Sequence, residues 1–487
     1  MTLTGQELET LAEVCGRDGV LVGAEACAPY ARDWTGAFVG RPAAVVRPAD
    51  TRTVAAVLAF CSARGLAVVP QGGRTGLVGA GAPADGEIVL SLERMRAVRR
   101  LDSEAGAVVV EAGATLAAVE EALADSGWRM PVDLASRGSA QVGGLLATAA
   151  GGMRHVRDGA LAARVRGLEV VLGDGRVLSN LSTLEKNNTG YAWAQLFCGS
   201  EGTLGVITAA AIGLARRAAA ARAAWLALAR PDVLAEAVDL VQRAALGLVA
   251  AVEFVHPTAL AALAEARPEL RPPVGDAPLH LVVEVEAADA PAAAAAAERL
   301  AEEALARGLA DDAAIAQSGR EVRDLWQVRE ALPEAIGRLG RVRRYDVAVP
   351  VGRLVDLVEE VCAAVAARGL AARPVAFGHA AEGNVHLNAI LGAGWEEAMD
   401  GVLDELVYGA VLARGGTISA EHGIGRLKRD RLALMRTPEE IAFMAALKAV
   451  CDPAGILSPG RLLPASALPP RLEAGEGAHG RPAGGPS

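Results

Sequence analysis

The sequence predicts an α+β protein built as two main domains, and three observations carry that reading. Up to about Gly213, short apolar strands alternate with tight turns and clusters of glycine. From about Ala218 the texture changes to long alanine-rich helices set between strands, the pattern of an antiparallel sheet covered by helices. With 487 residues, the chain is long enough for two or three substantial cores. We place the main boundary at 217, so that 1–217 and 218–435 form the two domains.

In the first domain, Asp50 or Thr51 caps a helix whose apolar positions Val54, Val57, Leu58 and Cys61 follow helical spacing. Gly65 ends it, and Leu66 to Val69 read as a short buried strand running into the glycine-rich "PQGGRTGLVGAGAP". "AVVVE" (107–111) and "LEVVL" (168–172) are strand-like, and Gly173-Asp174-Gly175 reads as a hairpin turn. In the second domain the strand-like "AAWLALA" precedes a helix near 231–244, followed by the strand-like "LVAAVEFV". "LHLVVEVE" precedes a helix over 290–307, and a third helix runs from Arg353 to Gly369 with Leu354, Leu357, Val358 and Val361 on one face.

The composition narrows the function. A net charge of −10 with scattered arginines argues against a nucleic-acid partner. No apolar run reaches membrane-spanning length, and "MTLTGQELET" has neither the basic start nor the apolar core of a signal peptide. Six widely spread cysteines without a CxxC pair fit reduced thiols, hence a cytoplasmic protein, which could also lie against the inner face of the membrane. The Pro/Gly/Ala-rich stretch 466–487 reads as a disordered tail.

Glycine is given up to a chain where the backbone must turn with positive φ or approach a ligand closely. The first cluster sits at the end of a strand, where ligands collect in α/β folds. It is not a P-loop, since no Gly-Lys-Ser/Thr is present, and not a dinucleotide fingerprint, since it leads into a Pro and Asp-Gly turn and then a strand. Three more clusters follow, "GSAQVGGLLATAAGG" (138–152), "EKNNTGY" (185–191) and "GSEGTLGVIT" (199–208). Turns explain any one of them. All four together point to a backbone wrapped around a large, flat, polyphosphate-bearing ligand.

"PQGGRTGLVG", "VVEAGATL", "PVDLASRGSAQVGG", "KNNTGY" and "GSEGTLGVIT", in this order, resemble the vanillyl-alcohol oxidase (PCMH-type) family of FAD-binding flavoproteins, and within it the D-2-hydroxyacid dehydrogenase branch. The resemblance runs from about residue 40 to 463. It implies a two-subdomain PCMH-type FAD-binding domain with its core at 38–215, a ferredoxin-like α+β substrate or cap domain at 218–435, and a segment 436–465 returning to the FAD domain. It implies FAD-binding roles for Pro70, Gln71, Gly72, Gly73, Arg74, Thr75 and Gly76, the pyrophosphate loop. Asp133, Leu134, Gly138, Ser139, Gly143, Gly144, Thr148, Gly151 and Gly152 would lie along the flavin, and Glu201, Gly202 and Ile207 along its ribityl and adenosine portions. The first loop carries no histidine or cysteine, so the flavin is expected to be held non-covalently. Where the family often reads Thr-Asn-Ala-Gly-Gly, this chain has Thr148-Ala149-Ala150-Gly151-Gly152, which removes one amide from the flavin side.

Of seven histidines, three lie in "FGHAAEGNVHLN" (His379, His386) and "SAEHGIG" (His422). His-x6-His is not a common zinc spacing, so spacing alone leaves metal ligands and ordinary polar histidines both open. The family resemblance implies that His379, His386 and Glu421 bind a divalent metal, zinc in the usual case, and that His422 is the catalytic base. It further implies Arg329, Arg344 and Asn388 as substrate-binding residues. The second arginine stands where relatives often have lysine, and Pro333 where some have threonine. The activity implied is oxidation of a D-2-hydroxy acid of the D-lactate or D-2-hydroxyglutarate class by hydride transfer to flavin N5, with a quinone, an electron-transfer flavoprotein or a cytochrome as acceptor. Two alternatives stay open: the FAD subunit of a glycolate oxidase-type complex, and an oxidase using oxygen. A homodimer is compatible with all three.

Overall fold

The computed structural model describes residues 3–467; the expected tail lies almost wholly outside them. The helix Thr51–Arg64 forms as its caps dictate: the Asp50 side chain accepts from the Thr53 N–H, and Gly65 adopts a left-handed φ of 63°. It feeds the strand Val68–Gln71, which runs two residues beyond the sequence reading because Pro70 and Gln71 still pair in parallel with Leu90 and Ser91. This strand ends a four-stranded sheet ordered Val20–Leu21, Ala44–Val46, Ile88–Ser91, Val68–Gln71. Beyond it, Val68 donates to the Ile456 carbonyl and accepts from the Ser458 N–H, so the C-terminal segment packs against the same edge.

A second, five-stranded antiparallel sheet contains Ala107–Glu111, Gly205–Gly213 and Val165–Leu172 at its centre. One apolar core holds both sheets together, with Val54, Leu58, Val68, Leu90, Val110, Val142, Val170 and Ile212 fully or almost fully buried.

The remaining strands form a seven-stranded antiparallel sheet, ordered Ala310–Ile315, Ala220–Leu228, Leu279–Ala287, Val249–Val255, Ala372–His379, Asn384–Leu391, Val342–Ala348. One face is covered by Leu234–Ala244, Ala290–Ala306, Leu354–Ala367 and Met399–Leu412, the other by Pro257–Ala266, Gly319–Glu330 and Leu332–Arg338. The strand of "LHLVVEVE" is apolar on one face but ends its other face in Glu284 and Glu286. Both carboxylates meet Arg154, and Glu286 also meets Arg157 at 3.0 Å, a charged clasp between this sheet and the 151–158 segment. No helix among the described residues is long and apolar enough to cross a membrane.

Candidate active site

The glycine loops pack on one another. A side chain on Gly73 would meet the Ser139 carbonyl oxygen at 1.8 Å, so this glycine is required by the neighbouring loop and not only by a ligand. Gly76, Gly138 and Gly144 face open space. Gln71 is committed to bracing: its amide donates to the carbonyls of Tyr30 and Gly81. Arg74 takes a left-handed φ of 59° and lies over the Tyr30 ring, with Thr75 half-buried beside it. Pro70 packs beneath Gly202, whose Cβ would lie 3.3 Å from its ring.

Several expected flavin residues are otherwise engaged. Asp133 pairs with Arg137 at 3.0 Å, and Leu134 packs under Gly152. Gly143 is needed for contact with Ala112, and the Thr148 hydroxyl donates to the Gly144 carbonyl. Ile207 lies in the core, which leaves only its backbone to meet a ligand. The Glu201 carboxylate, at a left-handed φ of 52°, accepts from the N–H groups of Ile424 and Gly425 at 2.7 Å each. It ties the two halves of the molecule. Gly151 and Gly152 do the same from the other side. The Gly152 N–H donates to Glu421 at 2.7 Å, and a side chain on Gly151 would displace that carboxylate.

The histidines converge on one face of the seven-stranded sheet, because residues two apart on a strand share a face. Phe377 and His379 lie on one strand, His386 and Asn388 on the next, and Arg344 and Asp346 on the edge strand. Ligand atoms of His379, His386 and Glu421 all lie within 4.8 Å of one another, and so do those of Asp346, His386 and His422. His379 Nε2 stands 3.5 Å from Glu421, while its Nδ1 bonds the fully buried Glu253. That arrangement fixes the ring so that Nε2 can ligate, the usual carboxylate support of a metal-binding histidine. Burial opposes a charged His379, but Glu253 and Glu421 outweigh it and hold its pKa well above the ordinary value. His386 behaves oppositely. Burial, then the neighbouring His379, lower it to about 3, so it is neutral and able to ligate. The His422 ring stacks on His386 with centroids 5.9 Å apart.

Three residues that sequence reasoning passed over build this site. Asp346 is buried, and one of its oxygens accepts from the N–H groups of Ala420, Glu421 and His422, shaping the loop that carries them. Its carboxyl is held far below the usual range: burial resists, but His422 and Lys428 prevail. Buried Lys428 donates to the Asp346 carbonyl. Glu253 bonds His379 and also pairs with Arg329 at 2.6 Å. A lone acid inside the apolar "LVAAVEFV", and a strand alternation placing Asp346 beside Arg344, were the available signals.

The expected substrate anchors divide. Arg329 is 6% exposed and two of its nitrogens bond Glu253, so the structure uses it to support His379. Arg344 has no carboxylate partner among the described residues, and burial lowers its pKa. Asn388 faces it across the strand pair, with its amide on the His386 carbonyl.

Residues 42–180 match the FAD binding domain family and 218–462 the family of FAD linked oxidases, C-terminal domain. The chain is 38% identical to mitochondrial D-2-hydroxyglutarate dehydrogenase of Bos taurus, over 92% of this chain and 82% of that one. The chain belongs to the FAD-linked D-2-hydroxyacid dehydrogenase family. Within this family it is also 35% identical to D-2-hydroxyglutarate dehydrogenase of Stutzerimonas stutzeri (94% and 98% covered) and 33% identical to a putative mitochondrial D-lactate dehydrogenase of Schizosaccharomyces pombe (94% and 90%). At 16% identity, p-cresol methylhydroxylase (TM-score 0.74, 95% and 97% covered) and 4-ethylphenol oxidase from Gulosibacter chungangensis (0.73, 97% and 99%) share the PCMH-type fold.

Proposed function

We propose that this dehydrogenase oxidises a D-2-hydroxy dicarboxylic acid of the D-2-hydroxyglutarate class, using a divalent ion beside the flavin. The carrying observation is the placement of an unpaired arginine next to a three-donor cluster on one sheet face. Two imidazoles and a carboxylate suit zinc or manganese and leave coordination positions free. Gly76, Gly138 and Gly144 leave the backbone open to a flavin nucleotide, which a first loop without histidine or cysteine would hold non-covalently. When bound, FAD supplies the hydride acceptor, and an ion held by His379, His386 and Glu421 supplies a Lewis acid for the 2-hydroxyl.

The chain's own residues do the rest. His422 takes the hydroxyl proton, and Asp346, 3.8 Å from its Nδ1, orients the ring. Arg344 and Asn388 receive the distal carboxylate. Arg344 lies two residues from Asp346 on its strand, roughly 6.6 Å along it. A quinone, an electron-transfer flavoprotein or a cytochrome then takes the electrons. Six cysteines without a disulfide fit the cytoplasmic placement.

The test is a chelator with a dye acceptor. Turnover should vanish while the bound-flavin spectrum persists, and zinc or manganese should restore it. His422→Ala should keep metal and flavin but reduce flavin reduction about 10²–10⁴-fold. Full activity after verified metal removal sinks the metal, and equal kcat/KM for D-lactate and D-2-hydroxyglutarate sinks the dicarboxylate preference.

A further inference from the structure

Trp34 is 57% exposed, and the Arg344 guanidinium lies over its ring, 5.4 Å from the centroid. The Arg344 guanidinium over it has no carboxylate partner among the described residues. The segment that carries Trp34 is well braced. Arg32 and Val39 form a β-bridge, and the buried Asp33 carboxylate accepts from the Thr35 hydroxyl at 2.8 Å and the Phe38 N–H at 3.4 Å. Phe38 in turn packs on Gly79 of the first glycine loop and under Arg426, which follows the His422 loop. Trp34 is therefore held from the FAD-binding half against a cation of the seven-stranded sheet. Beside it opens a cleft of ≈ 400 Å³, also lined by Arg32, Asp33 and Arg74.

We infer that Trp34 is a specificity-determining residue, the outer wall of the subsite in which Arg344 receives the distal carboxylate. Trp34 fixes the guanidinium by cation–π contact and keeps water from the ion pair once the substrate is in place, where a desolvated pair is screened less by salt. A monocarboxylate such as D-lactate uses none of this, so Trp34 acts on the discrimination between the two substrates. The inference rests on the dicarboxylate reading above.

The experiment measures kcat/KM for D-2-hydroxyglutarate and D-lactate with a dye acceptor, on the metal-loaded flavoenzyme, at low and high salt. Trp34→Ala should lower the ratio of the two values about ten-fold, chiefly through KM for the diacid, and make that KM rise more steeply with salt. Trp34→Phe should recover most of the ratio, and Arg344→Ala should collapse it. A wild-type ratio and salt slope in Trp34→Ala, with the ratio collapsed in Arg344→Ala, overturns the role of Trp34 alone. An unchanged ratio in Arg344→Ala overturns the dicarboxylate reading and this inference with it. Should Trp34→Ala lose its flavin, Trp34→Leu provides the same comparison with the wall kept and the π-face removed, and an unaltered ratio and salt slope there is likewise fatal.

Discussion

Replacing Arg329 with methionine separates a structural support from a substrate anchor. Arg329 and Glu253 are 6% and 0% exposed, and the pair closes at 2.6 Å. Burial favours a neutral Glu253, but His379 and Arg329 outweigh it and hold the carboxyl below its usual range. Removing the guanidinium leaves a wholly buried carboxylate with only His379 to answer it, a class of lesion costing about 3–5 kcal/mol. For a domain of this size that corresponds to roughly 6–20 °C in Tm. Glu253 also fixes the His379 ring, so metal affinity should fall roughly 10–100-fold. The assay is thermal unfolding of the purified protein together with metal content after dialysis and steady-state kinetics. Expected are a lower Tm, lost metal and lower kcat. Wild-type Tm and metal content with KM alone raised would refute the reasoning and make Arg329 a substrate anchor.

Gly73→Ala should yield protein depleted of flavin, since even one methyl meets the Ser139 carbonyl; a normal flavin-to-protein absorbance ratio speaks against the paired-loop geometry. Ala149 holds a left-handed φ of 50°, which asparagine adopts more readily, so Ala149→Asn should raise stability by about 0.5–1 kcal/mol, read as a higher Tm of the flavin-loaded protein. His256 caps the helix Pro257–Ala266, and burial lowers its pKa from 6.5 to about 4. The unfolded state then binds the proton more tightly, so stability is full above pH 6.5 and is lost as pH falls toward 4. Between pH 7.5 and 5 the wild type should lose about 2 kcal/mol more than His256→Asn in denaturant titrations; equal losses would exclude this group.

The glycine loops and the three histidines were legible because each is a local pattern. Gly73 must be glycine for its neighbours, and His379 and His386 share one hairpin. The supports were not legible, because they depend on pairings remote in sequence. Glu253 meets His379 only through the register of the strands Val249–Val255 and Ala372–His379. Glu201 reads as part of a cofactor motif, yet its carboxylate closes on amides more than two hundred residues away. Arg329 shows the same limit: its motif singles it out, while the pairing with Glu253, remote in sequence, decides what it touches.

The charges around these supports bear on the metal centre proposed above. Around the cluster, four carboxylates (Glu201, Glu253, Asp346, Glu421) stand with three cations (Arg329, Arg344, Lys428), which leaves one negative charge before His379 takes its proton, and burial raises the pKa of Glu201. Glu382 nearby adds little below neutrality, since burial pushes its carboxyl up to about 7. Ordinary core histidines would need no such excess of buried negative charge, and desolvating it without compensation is costly. His379 already responds by holding a proton strongly, the one positive charge the protein itself can offer between Glu253 and Glu421. A divalent cation satisfies the same field more completely, with His386 kept neutral by His379 and burial and therefore ready to ligate. The placement of Glu253 and Glu421 on either side of His379, more than the number of imidazoles, supports the proposed metal centre.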